Sequence, residues 1–294
     1  MIADVTVIVP AYRAADTVGR ALASIAVQTL SPRAVVVVDD GSPDDTFARA
    51  DAMRPRMGEI ELKLVRQDNA GAGAARNRAL AEATTPYVAF LDADDEWLPQ
   101  KLERSMARMA EGDYVLIAHD SVEIRDGHET RLDCAARFRA YEDAPFVGLY
   151  RHGFIDTSTV VARRDTVMAA GGFDTTLANG QDFALWLAVL AKPGARFLVF
   201  DEVLSRYHIT AGSIMSHVER RRRCCMAIAR RFAPALREHP GSPLASLWFR
   251  TIAVHREAAV AHLARRDWAQ ALRACALTPV SLADATFAYL SGRK

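Results

Sequence analysis

Cysteine is scarce in this chain: Cys134, Cys224, Cys225 and Cys275 are the only four in 294 residues. They are too few and too irregularly spaced for a disulfide framework or a CxxC metal site, and two of them are adjacent. Reduced thiols are expected, which favours a cytoplasmic setting. Long apolar runs are missing as well, since no window approaches the roughly 18 apolar residues a membrane span requires. The opening MIADVTVIVPAYRAADTV has no basic stretch ahead of its apolar segment, so neither a standard export signal nor a spanning anchor is expected. Net charge is nearly absent, with 37 Lys+Arg against 36 Asp+Glu. No repeat of fixed period stands out, which excludes a solenoid. What remains is an ordinary globular composition, half hydrophobic, unlike a disordered tail, a collagen or a multi-span membrane protein. The length suits one large domain, or one of about 200 residues with an appendage.

The near-zero charge conceals an asymmetry. From Ser216 onward there are 14 basic residues against 5 acidic, a net of +9, whereas the first 215 residues carry 23 basic and 31 acidic, a net of −8. The same cut separates two textures of sequence. Before it, short apolar β-rich runs (Val5 to Val9, Ala34 to Val38, Leu62 to Val65, Tyr87 to Leu91, Tyr114 to Ala118) alternate with helix-length segments. Such runs are the mark of strands buried on both faces of a mostly parallel sheet. Between them, Val18, Leu22 and Ile25 share one helical face, as do Leu98, Leu102 and Met106. Ser42, Pro43 and Asp45 read as the capped start of another helix. Asp126-Gly127 reads as a hairpin turn. Phe183, Trp186, Leu187 and Leu190 form a helical stripe after Asp182, and Arg196 to Phe200 reads as a strand. An α/β sheet with a nucleotide-sized crevice at the carboxyl ends of its strands is expected for residues 1–215.

Residues 216–294 read as an all-helical region. The stripes are Cys225, Ile228, Ala229 and Phe232, then Leu244, Leu247, Trp248, Thr251 and Ile252, then Trp268, Ala271, Leu272 and Cys275, the last capped by Asp267. Ser281 with Asp284 resembles a capping box for a final short helix.

The informative carboxylates fall where strands end. Asp39-Asp40-Gly41-Ser42 follows the second strand and Asp92-Ala93-Asp94-Asp95 the fourth. Two acidic clusters pointing into one crevice repel unless a cation or hydrogen-bond donors compensate. Either cluster alone is explained by turn and cap preferences. Together they favour a divalent ion, with Asp92 and Asp94 offering hard oxygens to Mg2+ or Mn2+.

The motifs taken in order resemble the family 2 glycosyltransferases: Val7-Ile8-Val9-Pro10-Ala11-Tyr12, Asp39 through Thr46, Asn69 with Gly71 and Ala75-Arg76-Asn77, Phe90-Leu91-Asp92-Ala93-Asp94-Asp95, then Gly171-Gly172-Phe173-Asp174 and Gly180-Gln181-Asp182. The resemblance covers residues 2 to about 215. It implies a GT-A fold and transfer of a sugar, with inversion, from a nucleotide donor, UDP-linked by expectation, to a carbohydrate or lipid-linked acceptor. Carried over by position, Pro10, Ala11 and Tyr12 would line the base pocket and Asp40 would meet the base edge. Arg76 would seat the nucleotide and its phosphates, and Asp92 with Ala93 would lie along the nucleotide sugar. Asp94 would bind Mn2+ or Mg2+, and Asp182 would be the general base. Taken without the family pattern, Arg76 is a solvated helix residue and Tyr12 a packed ring.

Such residue types suit the reaction. A metal can neutralise the leaving diphosphate without moving a proton, and a single carboxylate suffices to take the acceptor proton. No second acid is needed, unlike in glycoside hydrolases. Two departures stand out. Gln181 occupies the place of an acidic residue, which spares Asp182 a like-charged neighbour. The family's closing Arg-x-His-x-x-Ser meets His208 at its Arg position and Thr210 at its His position, so His208 contacts the metal only if the loop shifts, and is otherwise structural.

A haloacid-dehalogenase-like phosphotransferase would use Asp92 as nucleophile and Asp94 as acid, but that motif normally opens its domain, and here it closes the fourth strand. A dinucleotide-binding reading of Gly71-x-Gly73 fails because Arg76 takes the third glycine's place and the motif follows the third strand. A non-catalytic adaptor with a degenerate GT-A domain is opposed by the intact Asp40, Asp92, Asp94 and Asp182. The Arg220 to Arg223 run reads either as a solvated helix start or as a peripheral contact with an anionic membrane at its inner face. No aromatic-basic interleaving points to nucleic acid.

Overall fold

In the computed structural model, which describes residues 1–192, 194–209 and 217–292, strands and helices alternate from the start. They are β1 (Ile2–Ala11), α1 (Val18–Ala26), β2 (Ser31–Asp39), α2 (Thr46–Asp51), β3 (Glu61–Arg66), α3 (Ala72–Glu82) and β4 (Tyr87–Phe90). There follow β5 (Glu96–Trp97), α4 (Lys101–Ala110), β6 (Leu116–Arg125), β7 (His128–Leu132), α5 (Cys134–Arg139), α6 (Pro145–His152), β8 (Val161–Arg163), α7 (Arg164–Ala169), α8 (Gln181–Leu190) and β9 (Phe197–His208). Three helices close the chain: α9 (Val218–Phe232), α10 (Pro243–Ala264) and α11 (Trp268–Ser291).

Among the described residues nine strands form one sheet in the order β3-β2-β1-β4-β8-β6-β9-β5, with β7 paired to β6. The first four strands run parallel, and β6 runs parallel to β9. β8 is antiparallel to both β4 and β6. The α/β class read from the sequence therefore holds, with a mixed half added to a parallel one. Val5, Val7, Ile8 and Val9 of β1 are wholly buried, and α1 lays Val18, Leu22 and Ile25 into the same core. Side chains on both faces of β1 are excluded from water, which is why its sequence does not alternate. Register sets Ala11 beside Asp39 and Asp39 beside Arg66, so 10–12, 39–42, 66–71 and 91–95 emerge at one edge of the sheet.

Packing divides the chain into two compact units, one of Met1–Ala136, Ile155–Thr175 and Ala195–Thr210, the other of Arg137–Phe154, Thr176–Gly194 and Ala211–Lys294. The whole sheet lies in the first. Segments 137–154 and 176–194 group with the C-terminal helices, so this division differs from a single cut after residue 215. In the second unit Tyr150 of α6 is fully buried and its hydroxyl donates to the Ala229 carbonyl of α9 at 2.7 Å.

Several local expectations are corrected. Ser42 does not cap a helix: α2 begins at Thr46 with Asp45 at the N-cap position. The Ser42 hydroxyl instead accepts from Arg13 N at 3.0 Å, and its own N–H donates to Asp39 Oδ1 at 3.0 Å. There is no final short helix, because α11 runs unbroken through Pro279, and Ser281 bonds His255 Nε2 at 2.9 Å rather than capping. On α10 and α11, Trp248, Ile252, Trp268, Leu272 and Cys275 are exposed, and small or polar residues such as Thr251, His255, Ala271 and Ala274 face inward. Asp267 caps α11 as expected, accepting from Gln270 N at 3.2 Å. Asp126 and Gly127, both with positive φ, form the β6–β7 turn.

Lys101 is wholly buried, its ammonium 4.1 Å from the Trp97 ring and 3.5 Å from the Val160 carbonyl oxygen. No carboxylate pairs with it among the described residues. Burial pushes its pKa well below the usual value. The unfolded chain therefore holds a proton that the folded chain resists, and stability falls as pH drops below the ordinary lysine value of about 10.4. Lys101→Met is expected to raise stability by about 1–2 kcal/mol at neutral pH and to flatten the alkaline part of a stability–pH profile measured by urea unfolding.

Candidate active site

The site begins with the loops at the carboxyl edge of the parallel strands. Pro10 and Ala11 are buried at the end of β1, and Tyr12 is exposed, with the Arg13 guanidinium 5.3 Å from its ring. Asp40, at the end of β2, is buried, and its carboxylate accepts from Gln67 Nε2 (2.7 Å), Ala70 N (2.9 Å) and Gly71 N (2.8 Å). Gly41 has φ +71, and a Cβ there would lie 2.8 Å from Asn69 N, so only glycine lets the two loops close on one another. Asp40 thus fixes the loop from which α3 starts.

From α3, Arg76 reaches Asp92 at 2.5 Å, with its guanidinium 5.2 Å from the Phe173 ring. The ring is placed by Asn77, one residue along. The Asn77 amide donates to the Phe173 carbonyl and accepts from the Phe173 N–H, both at 2.8 Å. Gly172 is the counterpart of that clamp: its φ is +70 and an added Cβ would stand 2.5 Å from Asn77 Oδ1. The Ala75-Arg76-Asn77 and Gly171-Gly172-Phe173 motifs are therefore the two halves of one contact that orients Arg76 against Asp92.

Beyond β4 the acidic loop folds over a buried polar knot. Ala93 is buried, and Asp92 and Asp94 remain partly open. Asp95 is buried, accepting from Ser158 Oγ at 2.5 Å and from His208 N at 3.1 Å. Ser158 Oγ also accepts from Asp92 N at 3.1 Å. Burial, then Asp92 and Asp94, push the Asp95 carboxyl well above the usual range. The Arg20 guanidinium donates to the Asp94 carbonyl. Pairing of β5 with β9 sets Glu96 beside Arg206 and so carries Tyr207 and His208 to this loop. Burial, then Asp95, Asp94 and Asp92, raise the Tyr207 hydroxyl above its usual pKa. The His208 ring is held below its usual value by burial and then by Arg20, with Glu96 and Asp94 pulling the other way. His208 Nε2 lies 3.6 Å from Glu96 Oε1, and Thr210 lies outside the described residues.

Pro10, Ala11, Tyr12, Asp40, Arg76, Asp92, Ala93, Asp94 and His208 all belong to the first compact unit. Asp182 belongs to the second, in the first turn of α8 after Gly180 with φ 72. Three participants lay outside the sequence-level site: Ser158, Tyr207, and Asp95 as the buried organiser of the loop. Only Asp95 left a trace, as the last residue of the acidic cluster.

The α/β sheet thus gathers carboxylates, an arginine and a loop-to-helix turn at the ends of its strands. The sequence model of Glycosyl transferase family 2 matches residues 6–169. The chain is 31% identical over 211 residues to the amylovoran biosynthesis glycosyltransferase AmsB of Erwinia amylovora, covering 69% of each chain. It is 27% identical over 221 residues, 72% of this chain and 80% of the other, to the Escherichia coli UDP-Glc:alpha-D-GlcNAc-diphosphoundecaprenol beta-1,3-glucosyltransferase WfgD. Among solved structures, the mannosyltransferase PcManGT of Pyrobaculum calidifontis, in complex with GDP-Man and Mn2+, superposes with a TM-score of 0.65 at 22% identity over 99% of this chain and 81% of the other. The chain belongs to glycosyl transferase family 2 and is an enzyme with the GT-A fold. The phosphotransferase reading of Asp92 and Asp94 is not favoured, since both fall inside the matched family domain.

Proposed function

We propose that the chain transfers a sugar, with inversion, from a UDP-linked donor to a lipid-linked or polysaccharide acceptor in cell-envelope biosynthesis. The observation that carries the reading is the Arg76–Asp92 pair set beside Asp94 at the strand edge. The names of AmsB and WfgD supply the polysaccharide and lipid-diphosphate classes. Pro10, Ala11 and Tyr12 receive the base. The carboxylate of Asp40 has about four acceptor sites and gives three to the loop ahead of α3, leaving one for a base N–H.

Mn2+ or Mg2+ fits the residues present. Asp92, Asp94 and Asp95 crowd hard oxygens together, and Asp92 and Asp94 stay open to solvent. No group of three or more His, Cys, Asp or Glu is arranged to hold a metal among the described residues, so the diphosphate would complete the coordination, with Asp94 the principal protein ligand and His208 at most an outer neighbour. A bound ion supplies Lewis-acid stabilisation of the diphosphate. Arg76 orients Asp92 toward the nucleotide, and Asp182 accepts the proton of the acceptor hydroxyl. The setting follows from such an acceptor: the cytoplasmic side of a membrane, where lipid-linked sugars are elongated.

Isothermal titration with UDP, with and without MnCl2, tests the reading. Binding is expected to strengthen with the ion, and Asp94→Asn to remove that increment. A screen of nucleotide sugars for slow metal-dependent donor hydrolysis then identifies the sugar. Absence of UDP binding under both conditions would overturn the donor assignment.

A further inference from the structure

α11 has only two charged residues, Arg273 and Asp284, in its 24 positions, and it is apolar on both sides. Ala271, Ala274 and Ala285 face inward, while Trp268 (67%), Leu272 (72%), Val280 (56%), Phe287 (61%) and Leu290 (69%) are exposed. These five recur at steps of three, four, seven and eight residues and so make one stripe. Trp248, Ile252, Val260 and Leu263 of α10 form a second exposed stripe. A groove of about 460 Å3 between the helices is lined by Trp248, Leu282, Ala283, Thr286, Phe287 and Leu290. A helix apolar all round is ordinarily buried; this one is covered on one side only.

Charge decides what covers the other side. Arg256 stands between Ile252 and Val260, Arg265 and Arg266 lie in the turn before Trp268, and Arg273 follows Leu272. All four are exposed, and they make no ion pair among the described residues. In the Arg220 to Arg223 run, by contrast, Arg221 reaches Glu257 at 3.3 Å and Arg222 reaches Glu219 at 3.0 Å. The other two of the run, Arg220 and Arg223, are exposed without an ion pair among the described residues, so unpaired positive charge borders the apolar stripes as well as the start of α9. A second copy laid on the same face would set like charges together in a region carrying +9 over residues 216–294. An anionic lipid surface is complementary to it. Tryptophan at the edge of an apolar face suits the boundary between headgroups and acyl chains. No described helix is long and apolar enough to cross a membrane, which leaves a hairpin lying in the interface.

We infer that the α10–α11 hairpin docks on an anionic phospholipid surface, with Trp268, Leu272, Phe287 and Leu290 entering the acyl boundary and Arg265, Arg266 and Arg273 meeting the headgroups. The inference rests on the surface of α10 and α11 and not on the transfer reading. The full chain is expected to co-sediment with vesicles of equal parts phosphatidylglycerol and phosphatidylcholine, less so at high salt, and not with phosphatidylcholine alone. Arg265→Gln/Arg266→Gln/Arg273→Gln is expected to weaken that binding by about a hundredfold, at about fivefold per arginine. Leu272→Glu/Phe287→Glu should abolish it while leaving the far-UV circular dichroism spectrum and UDP binding as in the parent. Undiminished co-sedimentation of Leu272→Glu/Phe287→Glu would overturn the inference. So would a dimer in analytical ultracentrifugation that this variant dissociates, without vesicle binding by the parent; a second copy would then cover the face. Vesicle binding without UDP binding would instead defeat the transfer reading and leave this one standing.

Discussion

Asp182→Asn is expected to lower the rate of sugar transfer by about 10² to 10⁴, the range ascribed to a positioned general base, with UDP affinity unchanged. Asparagine keeps the size of the side chain and removes its capacity to take a proton. The residues proposed to contact the nucleotide, Pro10 through Asp94, belong to the other compact unit and keep their own side chains in this variant. Initial rates at saturating donor, set beside UDP titration of the same preparation, separate the two effects. Transfer at the parental rate would exclude Asp182 as the base. A parallel loss of UDP affinity would instead mark it as part of the nucleotide pocket.

Gly172→Ala is expected to cost about 3 kcal/mol. A left-handed backbone costs a residue with a Cβ roughly 1–2 kcal/mol, and displacing Asn77 breaks two hydrogen bonds to Phe173 worth about 1 kcal/mol each. For a chain of this size that is a fall in Tm of about 5 °C. Gly171 is the internal control: its φ is +91, and an added Cβ meets nothing within 4 Å. Gly171→Ala bears the backbone cost alone. Because the Phe173 ring also supports Arg76, Gly172→Ala should weaken UDP binding where Gly171→Ala does not. Calorimetric melting of both variants checks the difference; equal Tm values would mean that the Asn77 clamp contributes nothing.

The parts of the molecule that were legible in the sequence are those written in neighbouring residues. Continuous apolar runs located β1 to β4, and acidic clusters directly after them located two of the site loops. What escaped depended on residues far apart in the chain. β8 sits between β4 and β6 through three residues, Val161–Arg163, too few to carry a periodic signal. Ser158 is buried beneath Asp92 and Asp95 from more than sixty positions away, and nothing in its surroundings announces it. Tyr207 joins the acidic loop only because β9 runs on to His208, well past the apolar stretch ending at Phe200. Ser42 carries a helix-cap signature, yet its hydroxyl is taken by Arg13, so a tertiary partner overrode a sound local rule. Of the C-terminal stripes, Cys225, Ile228, Ala229 and Phe232 are buried as read, and the two on α10 and α11 failed in part. They assumed that the largest apolar side chains face inward, whereas α10 and α11 meet through alanine, threonine and histidine.

The interleaving of the two units bears on how the chain is made. β9 joins β6 to β5, so the sheet cannot be finished until residue 208 has been synthesised. At a translation rate of about 5–20 residues per second, about 6–24 s separate the end of β4 from the end of β9. A nascent chain stopped at residue 169, where the matched family domain ends, would hold every acidic loop of the nucleotide site and still present β6 without β9 beside it. An unpaired strand edge of that kind is open to pairing with another chain.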